Sequence, residues 1–323
     1  MSDLASSDGV RGIVTLGETM ALLWPPEVGL LRHAPGLRLG VAGAESNLAV
    51  GAVRLGVPAT WLGRVGDDEF GRLVTMTLRG QGVVTRAVVD SGAATGLMVK
   101  ERRTARATRV LYYRAGSAGS RLDPADVDPA VVTEAGVLHV TGITPALSRT
   151  AREAVFRAVE HASAAGVPVS VDLNYRTALW PPDVAGSVLG DLVRRADVVL
   201  ATEEEARLVV DGDEDTTLLA RLAALGPAQV LLKQGAAGSL SSIDGVVRRS
   251  AAHPVTVVDP VGAGDAYGAG YLSGLCRGLA PEERLRLATA AGAFAVTVPG
   301  DWEGLPSLAD LELLEGGQDV VLR

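Results

Sequence analysis

From Gly136 onward the chain alternates short apolar runs with helix-like stretches, and this rhythm limits the available folds more than any other feature. Val137–Val140, Val167–Leu173, Val198–Ala201 and Val230–Lys233 are the apolar runs. Ala151–Ala165, Val184–Arg195 and Thr216–Leu225 lie between them. Alternating strands and helices predict an α/β fold, a parallel sheet with helices on both faces. Such sheets bind ligands at the carboxyl ends of their strands, here Leu173-Asn174, Ala201-Thr202 and Lys233-Gln234-Gly235. The 323 residues suffice for one large α/β domain or two ordinary ones, and the 47% of hydrophobic residues supply a sizeable core. No repeat, low-complexity tract or long linker divides the chain.

The first third reads differently. Met1–Val10 is small and polar, a loose tail. Ile13–Leu16 is a short buried strand ending at Gly17-Glu18. Thr19–Leu39 is broken by Pro25, Pro26 and Pro35, which suits exposed strands and turns. Ala44–Leu55, with Leu48, Val50, Val53 and Leu55 apolar, suits a helix packed on a sheet. Thr95–Lys100 and Thr108–Arg114 flank the arginine-rich Glu101–Arg106 like a hairpin. With the broken strands they predict a small separate sheet. Strand alternation puts Tyr112 and Arg114 on one face and Tyr113 on the other.

Several function classes are disfavoured. The net charge of −8 argues against a nucleic-acid partner, and leaves anionic substrates to local arginines rather than the overall field. Of thirty basic residues only Lys100 and Lys233 are lysine. Cys276 is the single cysteine, which excludes an intrachain disulfide or a cysteine-rich zinc site. His33, His139, His161 and His253 are scattered and read as surface or satisfied core residues. The longest nearly apolar run, Leu287–Val298, is far short of the ~20 residues of a membrane span, and no basic-plus-apolar leader opens the sequence. A cytoplasmic protein without a membrane partner is expected. GxxxxGK[ST], GxGxxG after the first strand and GxSxG are all missing, against a Walker nucleotidase, a dinucleotide enzyme and an α/β-hydrolase.

The densest motif is Asp259-Pro260-Val261-Gly262-Ala263-Gly264-Asp265, running into Ala266-Tyr267-Gly268-Ala269-Gly270. Small residues at a helix start leave N–H groups unscreened and unpaired at the positive end of the dipole, an anion site suited to phosphate. A carboxylate beside such a site has a purpose if it takes the proton of a hydroxyl attacking a γ-phosphate. The bland alternative is a tight strand-to-helix turn. Gly40–Asn47 combines turn glycines with a helix start, either a plain cap or a polyol contact. Asp172-Leu173-Asn174-Tyr175-Arg176 closes a strand, with Asp172, Asn174 and Arg176 on one side if the strand continues. Thr202-Glu203-Glu204-Glu205 suits Mg²⁺ held through water or equally an acidic first helical turn. Lys233–Ser239 is a glycine loop that covers a nucleotide or merely turns.

Together these residues resemble the ribokinase-like (PfkB) carbohydrate kinases from Gly17-Glu18 to about Pro306. Gly43–Asn47, Arg64–Gly71 and Asp259–Gly270 carry the likeness. Tyr112–Ser120, Thr141–Leu147, Asp172–Arg176 with Leu179-Trp180, and Gly300-Asp301 resemble the 2-keto-3-deoxygluconate kinases in particular. The resemblance implies one kinase domain over residues 1–323. It would be a three-layer αβα sandwich with a mainly parallel central sheet and a β-lid from segments near 18–40 and 95–115. It implies phosphorylation of 2-keto-3-deoxygluconate by ATP with Mg²⁺, leaves room for a monovalent cation such as K⁺, and suggests a homo-oligomer. By resemblance Asp265 is the catalytic base and Gly262, Ala263 and Gly264 the anion hole. Gly43, Ala44, Asn47, Tyr112, Arg114, Arg176 and Asp301 hold the sugar acid. Asn174, Thr202, Lys233, Gly235, Gly238, Ser239 and Thr289 lie on the nucleotide side, and Glu205 reaches the metal through water. Three positions depart from the pattern: Met98 replaces a tyrosine near the sugar acid, Thr202 an asparagine of the magnesium motif, and Thr289 an asparagine near the adenine. Within the family, a 2-keto-3-deoxygalactonate kinase, fructokinase or ribokinase stays open. So does a catalytically silent binding protein.

Overall fold

The computed structural model describes residues 9–104 and 107–315. Most of the expected tail and the tip of the arginine-rich turn lie outside the described residues. The strands are β1 (Ile13–Leu16), β2 (Met20–Trp24), β3 (Arg38–Ala42), β4 (Ala59–Gly66), β5 (Val84–Asp90), β6 (Leu97–Thr104), β7 (Ala107–Tyr113), β8 (Val137–Thr141), β9 (Val169–Asp172), β10 (Val198–Thr202), β11 (Gln229–Lys233), β12 (Ser239–Ile243) and β13 (Val246–Ser250). The longer helices are α1 (Ala44–Arg54), α2 (Glu69–Gly80), α3 (Arg149–Ala164), α4 (Pro182–Val193), α5 (Asp215–Ala223), α6 (Ala263–Cys276) and α7 (Pro281–Ala295).

Among the described residues the large sheet runs β13-β12-β11-β10-β9-β8-β1-β4-β5. It is parallel from β11 to β5, and only β12 and β13 pair antiparallel. Alternate residues feed two cores, as a two-residue period requires. Val14, Leu138, Val199 and Val230 join α3, α4 and α5 on one face. Ile13, Val137, Val198 and Leu231 join α1, α2, α6 and α7 on the other. The result is the three-layer αβα arrangement.

The small sheet runs β3-β2-β6-β7, with β2 and β6 parallel and both outer pairs antiparallel. Two details depart from expectation. β2 is buried over Met20–Leu22 rather than exposed, because it pairs on both edges and its side chains cluster with Ala42 and Met98. β6 also runs on through Arg102 to Thr104, pairing Glu101 with Arg109, where a loop is expected. The Glu101 carboxylate is occupied there, accepting from the Leu31 N–H at 2.8 Å.

Candidate active site

The carboxyl ends of the central strands, the starts of α1 and α6, and the inner face of the small sheet enclose a cleft of about 970 Å³. Its floor is the turn into α6. Gly262 caps that helix with φ 80°, and a Cβ there would stand 2.3 Å from the Asp301 carbonyl oxygen. Only glycine permits both the left-handed turn and that approach. The first-turn N–H groups of α6, with no intrahelical acceptors, open at the positive end of its dipole.

Asp265 faces the cleft from the first turn of α6. Asn47, one turn into α1, donates from Nδ2 to Asp265 Oδ2 at 2.9 Å. Burial pushes the Asp265 carboxyl up to about 7 and the charge of Asp172 adds to this, while Asn47, Arg176 and Lys233 pull the other way. A carboxyl in that range can exchange a proton near neutrality.

Lys233 ends β11. Its Nζ bonds both Asp172 oxygens, at 2.8 and 2.7 Å, and lies 3.6 Å from where a Gly264 Cβ would sit. Burial disfavours this ammonium, but Asp172 and then Glu205 outweigh it and hold the pKa above the usual lysine range. The charge is therefore kept beside the turn. Asp172 itself serves as the partner of Lys233 and does not line the cleft.

Asn174 and Arg176 line the cleft, though not by strand alternation. β9 stops at Asp172, and Asn174 takes a left-handed φ of 38°, which asparagine tolerates better than most residues. Its N–H donates to Asp172 Oδ1 at 3.2 Å. Glu205 Oε1 accepts from the Tyr175 N–H at 3.0 Å and Oε2 from the Thr202 N–H at 2.7 Å. Thr202 returns the contact by accepting from the Glu205 N–H at 3.3 Å. The acidic first turn is what the structure shows: the capping box holds Glu205 at the cleft wall with its oxygens committed to backbone.

On the same side, Gly235 and Gly238 line the cleft. Gly238, at φ 93°, passes so close to β13 that a Cβ would fall 1.9 Å from the Ser250 carbonyl oxygen. Ser239 lies behind this wall, buried and accepting from the Tyr267 hydroxyl at 2.9 Å; strand alternation in β12 turns it inward. Tyr267 lines the cleft instead. Thr289 also lines it, but its hydroxyl donates back to the Leu285 and Arg286 carbonyls of α7, each at 3.0 Å.

At the small-sheet end, Met98, Tyr112 and Arg114 face inward with Gly43 and Ala44. Arg114 is already engaged. Its Nε and Nη2 each lie 2.6 Å from Glu18 Oε2, and Ser117 donates to the other Glu18 oxygen. Glu45 accepts from Thr141 at 2.7 Å and Thr144 at 2.6 Å. Its carboxyl is raised by burial against the pull of those hydroxyls. Asp301 pairs with Lys100 at 2.7 Å.

Glu18, Glu45, Lys100, Tyr267 and His253 also line the cleft, and local sequence does not single them out. Glu18 has a usable signal, since it follows the carboxyl end of β1. His253 is thus a cleft residue rather than a surface or core one. His139 is a core histidine, held near pKa 3 by burial and the charge of Lys233, with Nδ1 3.1 Å from Ser170 Oγ. Among the described residues no group of three or more His, Cys, Asp or Glu is arranged to hold a metal ion.

The profile of the pfkB family carbohydrate kinases matches residues 10–308. The chain belongs to this family. This PfkB kinase is 37% identical to the 2-dehydro-3-deoxygalactonokinase of Haloferax volcanii, covering 90% of this chain and 92% of that one. It is 36% identical to the 2-dehydro-3-deoxygluconokinase of Thermoproteus tenax, covering 95% of each. Among solved structures it is similar to a putative ribokinase II from E. coli in complex with ATP and Mg²⁺. The TM-score there is 0.87 and the identity 25%, with 94% of this chain and 98% of that one covered. No described helix of the PfkB kinase is long and apolar enough to cross a membrane.

Proposed function

We propose that this kinase transfers the γ-phosphoryl group of MgATP to the terminal hydroxyl of 2-keto-3-deoxygluconate, as one cytoplasmic kinase domain with the small sheet as its lid. The observation that carries the chemistry is Asp265, fixed by Asn47 beside the Gly262–Gly264 turn with a carboxyl near pKa 7. Asp265 takes the hydroxyl proton as that oxygen attacks the γ-phosphorus and the bond to ADP breaks. The N–H groups of the turn and the ammonium of Lys233 take up charge on the moving phosphoryl. Bound with ATP, Mg²⁺ would neutralise the β and γ oxygens. With both oxygens already accepting backbone N–H groups at the cleft wall, Glu205 would meet such a nucleotide-borne ion through water rather than directly.

The substrate reading is supported by the guanidinium of Arg114 at the lid end and by the name of the Thermoproteus tenax relative. Gly43, Ala44, Asn47, Tyr112, Arg176 and Asp301 complete that end. Gly235, Gly238, Asn174, Thr202 and Thr289 lie on the nucleotide side. The exposed Leu39 and Tyr113 on the outer strands of the small sheet support a homo-oligomer. A C4-epimeric substrate, 2-keto-3-deoxygalactonate, is the second reading. It is favoured by the Haloferax volcanii relative and by Met98, whose thioether lacks a hydroxyl's directional bond.

ADP release with 2-keto-3-deoxygluconate, 2-keto-3-deoxygalactonate, gluconate, fructose and ribose tests this. Preference for the first supports the proposal, comparable rates on both keto-deoxy acids indicate a loose C4 pocket, and preference for a neutral sugar overturns the substrate. Repeating the assay with and without K⁺ tests the monovalent cation.

The lid end and the base each make a kinetic expectation. Arg114→Leu should lower kcat/KM for the keto-deoxy acids at least ~10-fold more than for fructose, as expected for a lost charge-assisted bond. Arg114→Lys, which keeps a cation opposite Glu18, guards against misfolding from an unpaired buried carboxylate. Equal losses on acids and fructose would make Arg114 structural. Separately, kcat/KM should fall about tenfold per pH unit below about 7, as Asp265 takes up its proton. A profile flat to pH 5 would remove Asp265 as the base.

A further inference from the structure

The two lysines of the chain, Lys100 and Lys233, both line the cleft, and the mechanism above uses only Lys233. Lys100 stands on β6 of the small sheet. Its Nζ lies 2.7 Å from Asp301 Oδ2, with the two side chains only 8% and 6% exposed. The pair therefore crosses from the small sheet to the loop beside Gly262. Neither atom has another hydrogen-bond partner among the described residues. Burial, Glu303 and Asp259 all disfavour the Asp301 charge, and Lys100 is what offsets them.

That loop is braced to the turn into α6. The Asp301 carbonyl abuts Gly262. Asp259 ties the two segments, accepting from the Val261 N–H at 3.1 Å and the Gly300 N–H at 3.3 Å. Glu303 Oε2 accepts from the Asp301 N–H at 2.9 Å. A shift of Asp301 is thus passed by direct backbone contact to Gly262. β6 touches the same region once more, where Arg102 Nη2 donates to the Val258 carbonyl at 3.5 Å.

We propose that Lys100 is a positioning residue: its ammonium, carried on the small sheet, holds Asp301 and through it sets the Gly262–Gly264 turn for phosphoryl transfer. The turn is then fully formed only when the small sheet lies over the cleft. This rests on the kinase reading of the turn and is independent of which sugar is accepted. Without Lys100 a buried carboxylate is left uncompensated, and it takes a proton or moves toward water.

The test uses the full chain with whichever acceptor gives the fastest wild-type ADP release, and compares Lys100→Met with Lys100→Arg. Lys100→Met should lower kcat about 10- to 100-fold, the scale of a small misplacement at a reacting centre. KM for ATP should change less than about threefold, and Lys100→Arg should recover most of the loss. In an Asp301→Asn background, Lys100→Met should cost less than a further ~2-fold, as expected when one residue acts through the other. Amide hydrogen exchange supplies a reading without turnover: peptides over 259–265 should exchange faster in Lys100→Met, with β8 to β10 unchanged. An unchanged kcat with unchanged exchange overturns the proposal. So do independent, multiplying losses in the double variant, which would put Lys100 on the substrate itself, and so does a uniform rise in exchange, which would make it merely structural. A wild type inactive on every acceptor would count against the proposed function and leave the exchange comparison to decide the role of Lys100.

Discussion

Asp265→Asn should lower kcat by at least ~10²-fold, the usual scale for loss of a general base, with smaller changes in KM. The same variant should be more stable without ligands. The Asp265 carboxyl is pushed up to about 7 from an ordinary value of 3.8, so the folded state resists ionisation that the unfolded chain accepts. This destabilisation is complete above pH 7 and fades as pH falls toward 4. A tenfold change in proton affinity corresponds to about 1.4 kcal/mol. Removing the strain of ionisation should therefore raise the Tm at pH 8 by a few degrees and leave the Tm near pH 4 unchanged. Near-normal turnover would remove Asp265 as the base, and an unchanged Tm at pH 8 would show that the carboxylate is not held against its solvation.

Gly262→Ala should also cost at least ~10² in kcat, because it disturbs several charge-stabilising N–H donors at once. Its stability effect has the opposite sign. Alanine at φ 80° is strained, and its Cβ would meet the Asp301 carbonyl oxygen at 2.3 Å, so strain of ~1–2 kcal/mol for the left-handed residue is joined by a backbone collision. A lower Tm together with lost turnover is expected. Full activity would mean that the turn does not carry the transferring phosphate. Measured side by side, the two variants separate chemistry from folding: both are slow, one more stable and one less.

Much of this site can be read from the chain because its parts are local. The small residues of Gly262–Asp265, the glycines at 235 and 238, and the strand ends at 172–176 and 202 each state their geometry within a few positions. The pairings cannot be read that way. Asn47 meets Asp265, Glu18 meets Arg114, and Lys100 meets Asp301 only because the topology folds distant segments onto one cleft. Side-chain direction is equally hidden. Ser239 turns away from the cleft because β12 begins there, and Thr289 spends its hydroxyl on its own helix. The prolines of the first segment suggest exposure for β2, whereas pairing on both of its edges buries it. The main sheet is the most legible part, since its strands are buried on both faces and read as continuous apolar runs.

The parallel pairing of β2 with β6, which sets Ala21 beside Leu97, has a consequence for synthesis. All four strands of the small sheet lie before residue 114, while the turn and loop they cover lie beyond residue 258. On a ribosome, chain emerges from the N-terminus, and non-local contacts must wait for their partners. Lys100, whose only ion-pair partner among the described residues is Asp301, therefore stays without it until the last third of the chain arrives. The turn into α6 and the loop that carries Asp301 emerge late, and nascent chains stalled before α6 carry the small sheet with Lys100 still lacking its partner.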